Sequence, residues 1–272
     1  RLPRTNADDD PGEPLTTAHL FRIASHSKTF TATAVMQLVE AGKLRLDDTV
    51  EEHVPALAGS RIGDRTVAEL LAHGGGVVRD SHEADFWQLQ REFPDSEALI
   101  AACLDAADVL ERNERFKYSN IGYGVLGLVV EAASGQPYPD YVLEHIVGRL
   151  GLRDTGPDLD ASRSDEYATG YSTLETYERR LPIGPIHTGA LASATGFWST
   201  AEDVCRYAAG HVLGDERLLS DASKRRMQRG EWEVEGTDDR YGLGFGIHKI
   251  GERRMIGHGG GFPGHITRTL FD

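Results

Sequence analysis

Apolar positions recur along this chain with a helical period through most of its length and with a period of two near its end. From Ser25 to Ala41 the run TFTATAVMQLVEA is apolar on most faces and stops at Gly42, which predicts a buried helix with a left-handed end. A short strand over His19 to Ile23 precedes it, after a polar Pro, Gly and Asp-rich segment over residues 1 to about 18. Asp48 with Glu51 reads as a capping box, and Thr66 to Ala72 and Ser96 to Ala107 continue a helical middle section. Asn120 to Gly135 and Tyr138 to Leu150 read as two more helices, a loop-rich stretch runs to about Thr195, and Ser199 to Gly210 forms another helix behind an N-cap serine. In YGLGFGIHKI (241–250) the period becomes two, with Tyr241, Leu243, Phe245 and Ile247 on one face and Gly242, Gly244 and Gly246 on the other, inviting close approach of another element. Gly251-Glu252 then turns the chain into a second strand, Arg254 to His258. This order predicts an α+β fold: a discontinuous α/β sheet domain over 1–47 and 191–272, interrupted by a helical insertion domain over 48–190.

Composition narrows the function classes. With 272 residues and 39% hydrophobic content the chain can bury a sizeable core. A net charge of -14 with scattered basic residues argues against nucleic acid and anionic membrane surfaces as partners. No apolar run approaches the roughly 18 residues of a membrane-spanning segment, and RLPRTNADDD lacks the apolar core of a signal peptide. Cys103 and Cys205 stand alone, without the spacing of a zinc or dithiol site; buried free thiols are expected, with one disulfide as the alternative.

Only five of the 29 Lys and Arg residues are Lys, and Lys28 is the one that follows a serine, Ser25, by three positions. On a helix these two share a face, so the amine reaches the hydroxyl. Lys can lose its proton when desolvated and Arg cannot, which makes the pair a nucleophile and its base; the bland alternative is an N-cap serine beside a solvated lysine. Two companions favour chemistry: Tyr118-Ser119-Asn120, a Y-x-N, and His258-Gly259-Gly260, which opens a glycine-rich stretch after a strand. S-x-x-K with two further elements is the signature form of serine β-lactamases and penicillin-binding proteins. His187-Thr188-Gly189 competes with His258 as third element but lies in a loop-like stretch. The HGGG at His73 suggests an α/β-hydrolase oxyanion hole, yet no G-x-S-x-G elbow accompanies it, and His82-Glu83 lacks the second His of a zinc protease.

With these motifs in order, the chain resembles the class C β-lactamase-like serine hydrolases, which include D-alanyl-D-alanine carboxypeptidases, D-aminopeptidases and short-chain esterases. FRIASHSKTFTATAVMQLVEAGKLRLDDTV is similar to the family's nucleophile helix, and TVAELLAHGGG, FKYSNIGYGVLG, GRLGLRDTG, TGFWSTAEDV, YGLGFG and GHGGGFPG follow in the expected order, with Gly75 where the family has Ser. The resemblance implies a β-lactamase/transpeptidase-like antiparallel sheet flanked by helices. It also implies Ser25 as the acylated nucleophile, Lys28 and Tyr118 sharing the proton work, and no metal or organic cofactor. Asn120 would bond Lys28 or a substrate amide, His258 and Gly260 would line the substrate strand, and Gly261 would join Ser25 in donating backbone N–H groups to the oxyanion. Lys28 together with His258 would supply the cationic field that a Tyr118 base needs.

His258 stands where the family has a lysine, which points toward a peptidase or esterase acting on a small-molecule or peptide substrate, because His is only partly charged at neutral pH. Family members carry further elements at both ends, so an excerpt of a longer protein is one expectation. A non-catalytic ligand-binding or sensor module on the same fold is the alternative to an enzyme.

Overall fold

The computed structural model describes residues 14–105, 110–173 and 180–272. Its centre is helix α1 (Ser27–Glu40), in which every residue from Ser27 to Met36 is buried. Polar members of this helix are buried without penalty because they are bonded. Thr31 donates to the Ser193 carbonyl at 2.6 Å, Thr33 to the Thr29 carbonyl at 2.9 Å, and Ser27 to the Ala24 carbonyl at 2.6 Å. Phe30 stacks between Phe197 (4.4 Å) and Tyr207 (3.8 Å), fixing the helix against its neighbours.

The helices that follow are α2 (Val50–His53), α3 (Val67–Leu71), α4 (Ser96–Asp105), α5 (Asn120–Ser134), α6 (Tyr138–Val142) and α7 (Gly148–Leu150). The last two are joined by a π-turn over Leu143–Val147. Then come α8 (Ala201–Ala209) and α9 (Asp221–Met227). Helix α5, buried along most of its length, packs on α1. The strands are β1 (Phe21–Arg22), β2 (Thr155–Gly156), β3 (Gly170–Tyr171), β4 (Pro182–Ile183), β5 (Trp198–Ser199), β6 (Trp232–Glu233), β7 (Arg240–Tyr241), β8 (Gly246–Ile250), β9 (Arg253–Phe262) and β10 (His265–Phe271). The larger sheet has the order β10-β9-β8-β7-β6 and is antiparallel throughout. Smaller sheets join β1-β5-β2 and β3-β4. The α+β expectation holds, with an antiparallel sheet against helices.

Several local expectations shift. The capping box is Thr49 with Glu52, one residue beyond Asp48 and Glu51, because Asp48 is engaged by the Arg45 backbone N–H and His53. Ser25 lies in a 3₁₀ turn, Ala24–His26, and the α-helix begins at Ser27. The helix from Ser96 is described to Asp105, and residues 106–109 lie outside the described residues. The strand read through 241–250 is broken over 242–245. There Gly244 has φ +83°, and a Cβ on it would sit 2.3 Å from the Ala32 Cβ, so this glycine lets the sheet meet α1. Cys103 is a buried free thiol as expected; Cys205 is free but exposed on α8.

Candidate active site

The short segment before α1 sets the nucleophile. Ala24 takes φ +53°, a left-handed conformation that is unfavourable for alanine, and the half-buried Ser25 follows it. Strand β9 runs directly over this turn. A Cβ at Gly260 would lie 2.2 Å from the Ile23 carbonyl oxygen and 2.6 Å from Thr267 Oγ1, so only glycine fits there. His26 fastens the same turn to β10: one ring nitrogen bonds the Ile23 carbonyl at 2.8 Å and the other pairs with Thr269 Oγ1 at 2.9 Å. Burial holds His26 down at about 4, so it is neutral at pH 7.

Lys28, one turn on, is wholly buried and its Nζ lies 3.4 Å from Ser25 Oγ. It also donates to Asn120 Oδ1 at 2.7 Å and to the Ala194 carbonyl at 2.8 Å. Desolvation pushes its ammonium well below the ordinary lysine range; Asp80 opposes that shift and Arg79 adds to it. Tyr118 stands over the same amine, its ring 4.7 Å from Nζ, and its hydroxyl interacts with Ser25. Desolvation raises the Tyr118 phenol above its usual value, more than Ser25 and Arg79 pull it down.

Ser119, not Asn120, caps α5, accepting from the Gly122 backbone N–H at 2.8 Å. Asn120 is thereby free to turn its amide toward Lys28, and its Nδ2 donates to Asp80 Oδ1 at 2.8 Å. His258 is buried in β9 and shares a hydrogen bond with Tyr241 Oη at 3.0 Å. Burial first, then His26 and Lys28, hold it down at about 3. It is therefore neutral at pH 7 and adds no positive charge beside Tyr118, while burial lowers the proton affinity of Lys28. Gly261 is exposed on β9 beside Gly260. Ser25, Lys28, Tyr118, Asn120 and His258 are thus neighbours, with Gly260 packed on the Ile23 and Ala24 turn beside them, whereas His187 is surface-exposed against Asp158.

Sequence reading passed over two participants. His73 accepts the Ser119 backbone N–H on Nδ1 at 3.1 Å, its own carbonyl accepts from the Lys117 N–H at 2.8 Å, and its ring lies 4.4 Å from Tyr118. It clamps the Y-x-N segment from both sides; the HGGG glycines drew notice to a different chemistry. Asp80 lies in a segment without hydrophobic period, and nothing in its local sequence marks it. Among the described residues no group of three or more His, Cys, Asp or Glu could hold a metal ion, and no helix is long and apolar enough to cross a membrane.

The family model for Beta-lactamase matches residues 4–272. The chain belongs to the Beta-lactamase family. Within the family it is 30% identical over 294 residues to penicillin-binding protein 4* of Bacillus subtilis (strain 168), covering 94% of this chain and 59% of that protein, so it spans less than two thirds of that relative's length. The penicillin-binding protein from Bacillus halodurans matches with a TM-score of 0.80 at 28% identity, over 96% of this chain and 80% of that one. The D-amino acid amidase from Ochrobactrum anthropi SV3 matches with a TM-score of 0.77 at 25% identity, over 93% and 73%. The fold of these solved neighbours is the one described above.

Proposed function

We propose that this protein cleaves an ester or amide, β-lactams included, through an acyl-enzyme on Ser25. The observation that carries the reading is a fully buried Lys28 amine, depressed by desolvation, 3.4 Å from the Ser25 hydroxyl. A neutral amine has two N–H bonds and one lone pair. The two N–H bonds go to Asn120 Oδ1 and the Ala194 carbonyl, which leaves the lone pair for Ser25.

Ser25 Oγ attacks the substrate carbonyl carbon as its proton passes to Lys28 Nζ. Tyr118, kept protonated by burial, donates its proton to the leaving oxygen or nitrogen and is reprotonated from Lys28. Water then attacks the acyl carbon by the same path in reverse, returning Ser25. Backbone N–H groups of Ser25 and Gly261 hold the developing oxyanion, each worth about 100 to 1,000-fold in rate. A neutral His258 bonded to Tyr241 offers no fixed positive charge to a substrate carboxylate, which supports uncharged esters and amides over substrates that need such an anchor.

Mass spectrometry after incubation with a fluorophosphonate and with penicillin tests the reading. An adduct on the Ser25 peptide that is lost in Ser25→Ala is expected. No adduct with either probe, or an adduct that survives Ser25→Ala, would reject it.

A further inference from the structure

We propose that Asp80 is a positioning residue: through Asn120 it fixes which way the Lys28 lone pair points, and so aims the base at Ser25. The inference rests on the acyl-enzyme reading above and begins with donors and acceptors. A carboxylate only accepts, so the Asn120 atom facing Asp80 Oδ1 at 2.8 Å is the amide nitrogen. The Asn120 oxygen must then face Lys28, where it lies 2.7 Å from Nζ. Were the amide turned over, its NH2 would demand the lysine lone pair, and Ser25 would face an N–H bond in place of a base.

Asp80 is itself held. The Trp87 indole, which can only donate, bonds the same Oδ1 at 2.8 Å, and Arg79 lies 3.5 Å from the other oxygen. The Asn120 backbone N–H donates to the Arg79 carbonyl at 2.8 Å, which sets the distance between the segment and α5. Trp87 belongs to a 3₁₀ turn, Asp85–Gln88, so the carboxylate joins that turn to α5 and, through Asn120, to Lys28. The charge has a second effect. The ionisable groups facing Lys28 are Asp80 and Arg79 from this segment, His73, Tyr118 and Tyr123 from the helical side, and His258 from β9. Asp80 is the one anion among them, and it holds the amine's affinity for protons up against burial.

Two substitutions separate the effects. Asp80→Asn keeps an oxygen for Trp87 and Asn120 and loses the charge; Asp80→Ala loses both. The five lysines of the chain make the Lys28 signal assignable in carbon-13 lysine NMR, by its disappearance in Lys28→Arg. In Asp80→Asn the Lys28 titration midpoint is expected to move to lower pH, whether or not a substrate is known. Acylation of Ser25 by the fluorophosphonate is expected to slow by about 10 to 100-fold in Asp80→Ala, the size of a lost charge-assisted hydrogen bond. Added to Asn120→Ala, the same change is expected to cost under about 3-fold, because the residue it acts through is gone. An unmoved Lys28 midpoint in Asp80→Asn, or losses that simply multiply with Asn120→Ala, would overturn the role of Asp80. A wild type without any Ser25 adduct would instead reject the acyl-enzyme reading, with the Lys28 titration still reporting on Asp80.

Discussion

Lys28 and Tyr118 meet at Ser25 with opposite shifts from the same cause. Desolvation disfavours the charged form of each, making a lysine that gives up its proton readily and a tyrosine that keeps it. Lys28→Arg preserves charge and much of the bulk but cannot become neutral, so a loss of about 100 to 10,000-fold in kcat/KM is expected on a p-nitrophenyl ester. Because Lys28 must be neutral to work, kcat/KM should rise with pH along an acid limb that lies below the ordinary lysine range, measured as a pH profile from 5 to 9 (about the range most proteins tolerate). Tyr118→Phe should lower kcat and leave that limb in place. At this scale the sequence was informative where chemistry is local. Ser25 and Lys28 are three residues apart where a 3₁₀ turn runs directly into α1, so their meeting follows from spacing. The neutrality of His258 was not legible, since it arises from burial and from His26 and Lys28, which the fold brings to it from the other end of the chain. Asp80 was hidden for the same reason, reaching the site through a partner 40 residues on.

Among the elements, glycine positions decide how closely the sheet meets the nucleophile helix. Gly260→Ala would drive a methyl group into the Ile23 carbonyl, and backbone cannot yield as a side chain can. A stability loss of about 1 to 3 kcal/mol by urea denaturation is expected, with a larger fall in Ser25 acylation because the displaced turn carries the nucleophile. Gly244→Ala combines a contact at 2.3 Å with φ +83° and should be at least as damaging to stability, while Gly251→Ala, with φ +61° in an open hairpin turn, should suffer only backbone strain. The alternation of 241–250 announced that glycines would share a face, and all three do make close approaches. It did not announce the break over 242–245, because a positive φ is set by the helix that the strand must pass. The capping box was misread by one residue since Asp48 and Thr49 are both good caps by composition, and only the Asp48 contacts with the Arg45 backbone N–H and His53 separate them.

For the molecule as a whole, buried neutral histidines tie stability to pH. His26, His211 and His258 are held at about 4, 3 and 3. Above pH 6.5 neither state binds these protons; between about 6.5 and 4 the unfolded chain takes up protons that the native state refuses. Stability should therefore fall as pH drops through that window, seen as a declining Tm in thermal scans from pH 7.5 to 4.5. The α+β class and the sheet's position late in the chain were legible because the change of period from helical to two is a property of composition and order. The sheet's register against the nucleophile turn was not, because it arises from packing between segments far apart in the chain. Thr267 bonds the Ile23 carbonyl across 244 residues, and Thr269 bonds His26 across 243. Contacts of such long sequence separation form late, after the loop-closure entropy of almost the whole chain has been overcome. In a refolding experiment, helical signal should then return well before Ser25 becomes reactive, and any treatment that slows docking of β10 should delay the second event while leaving the first untouched.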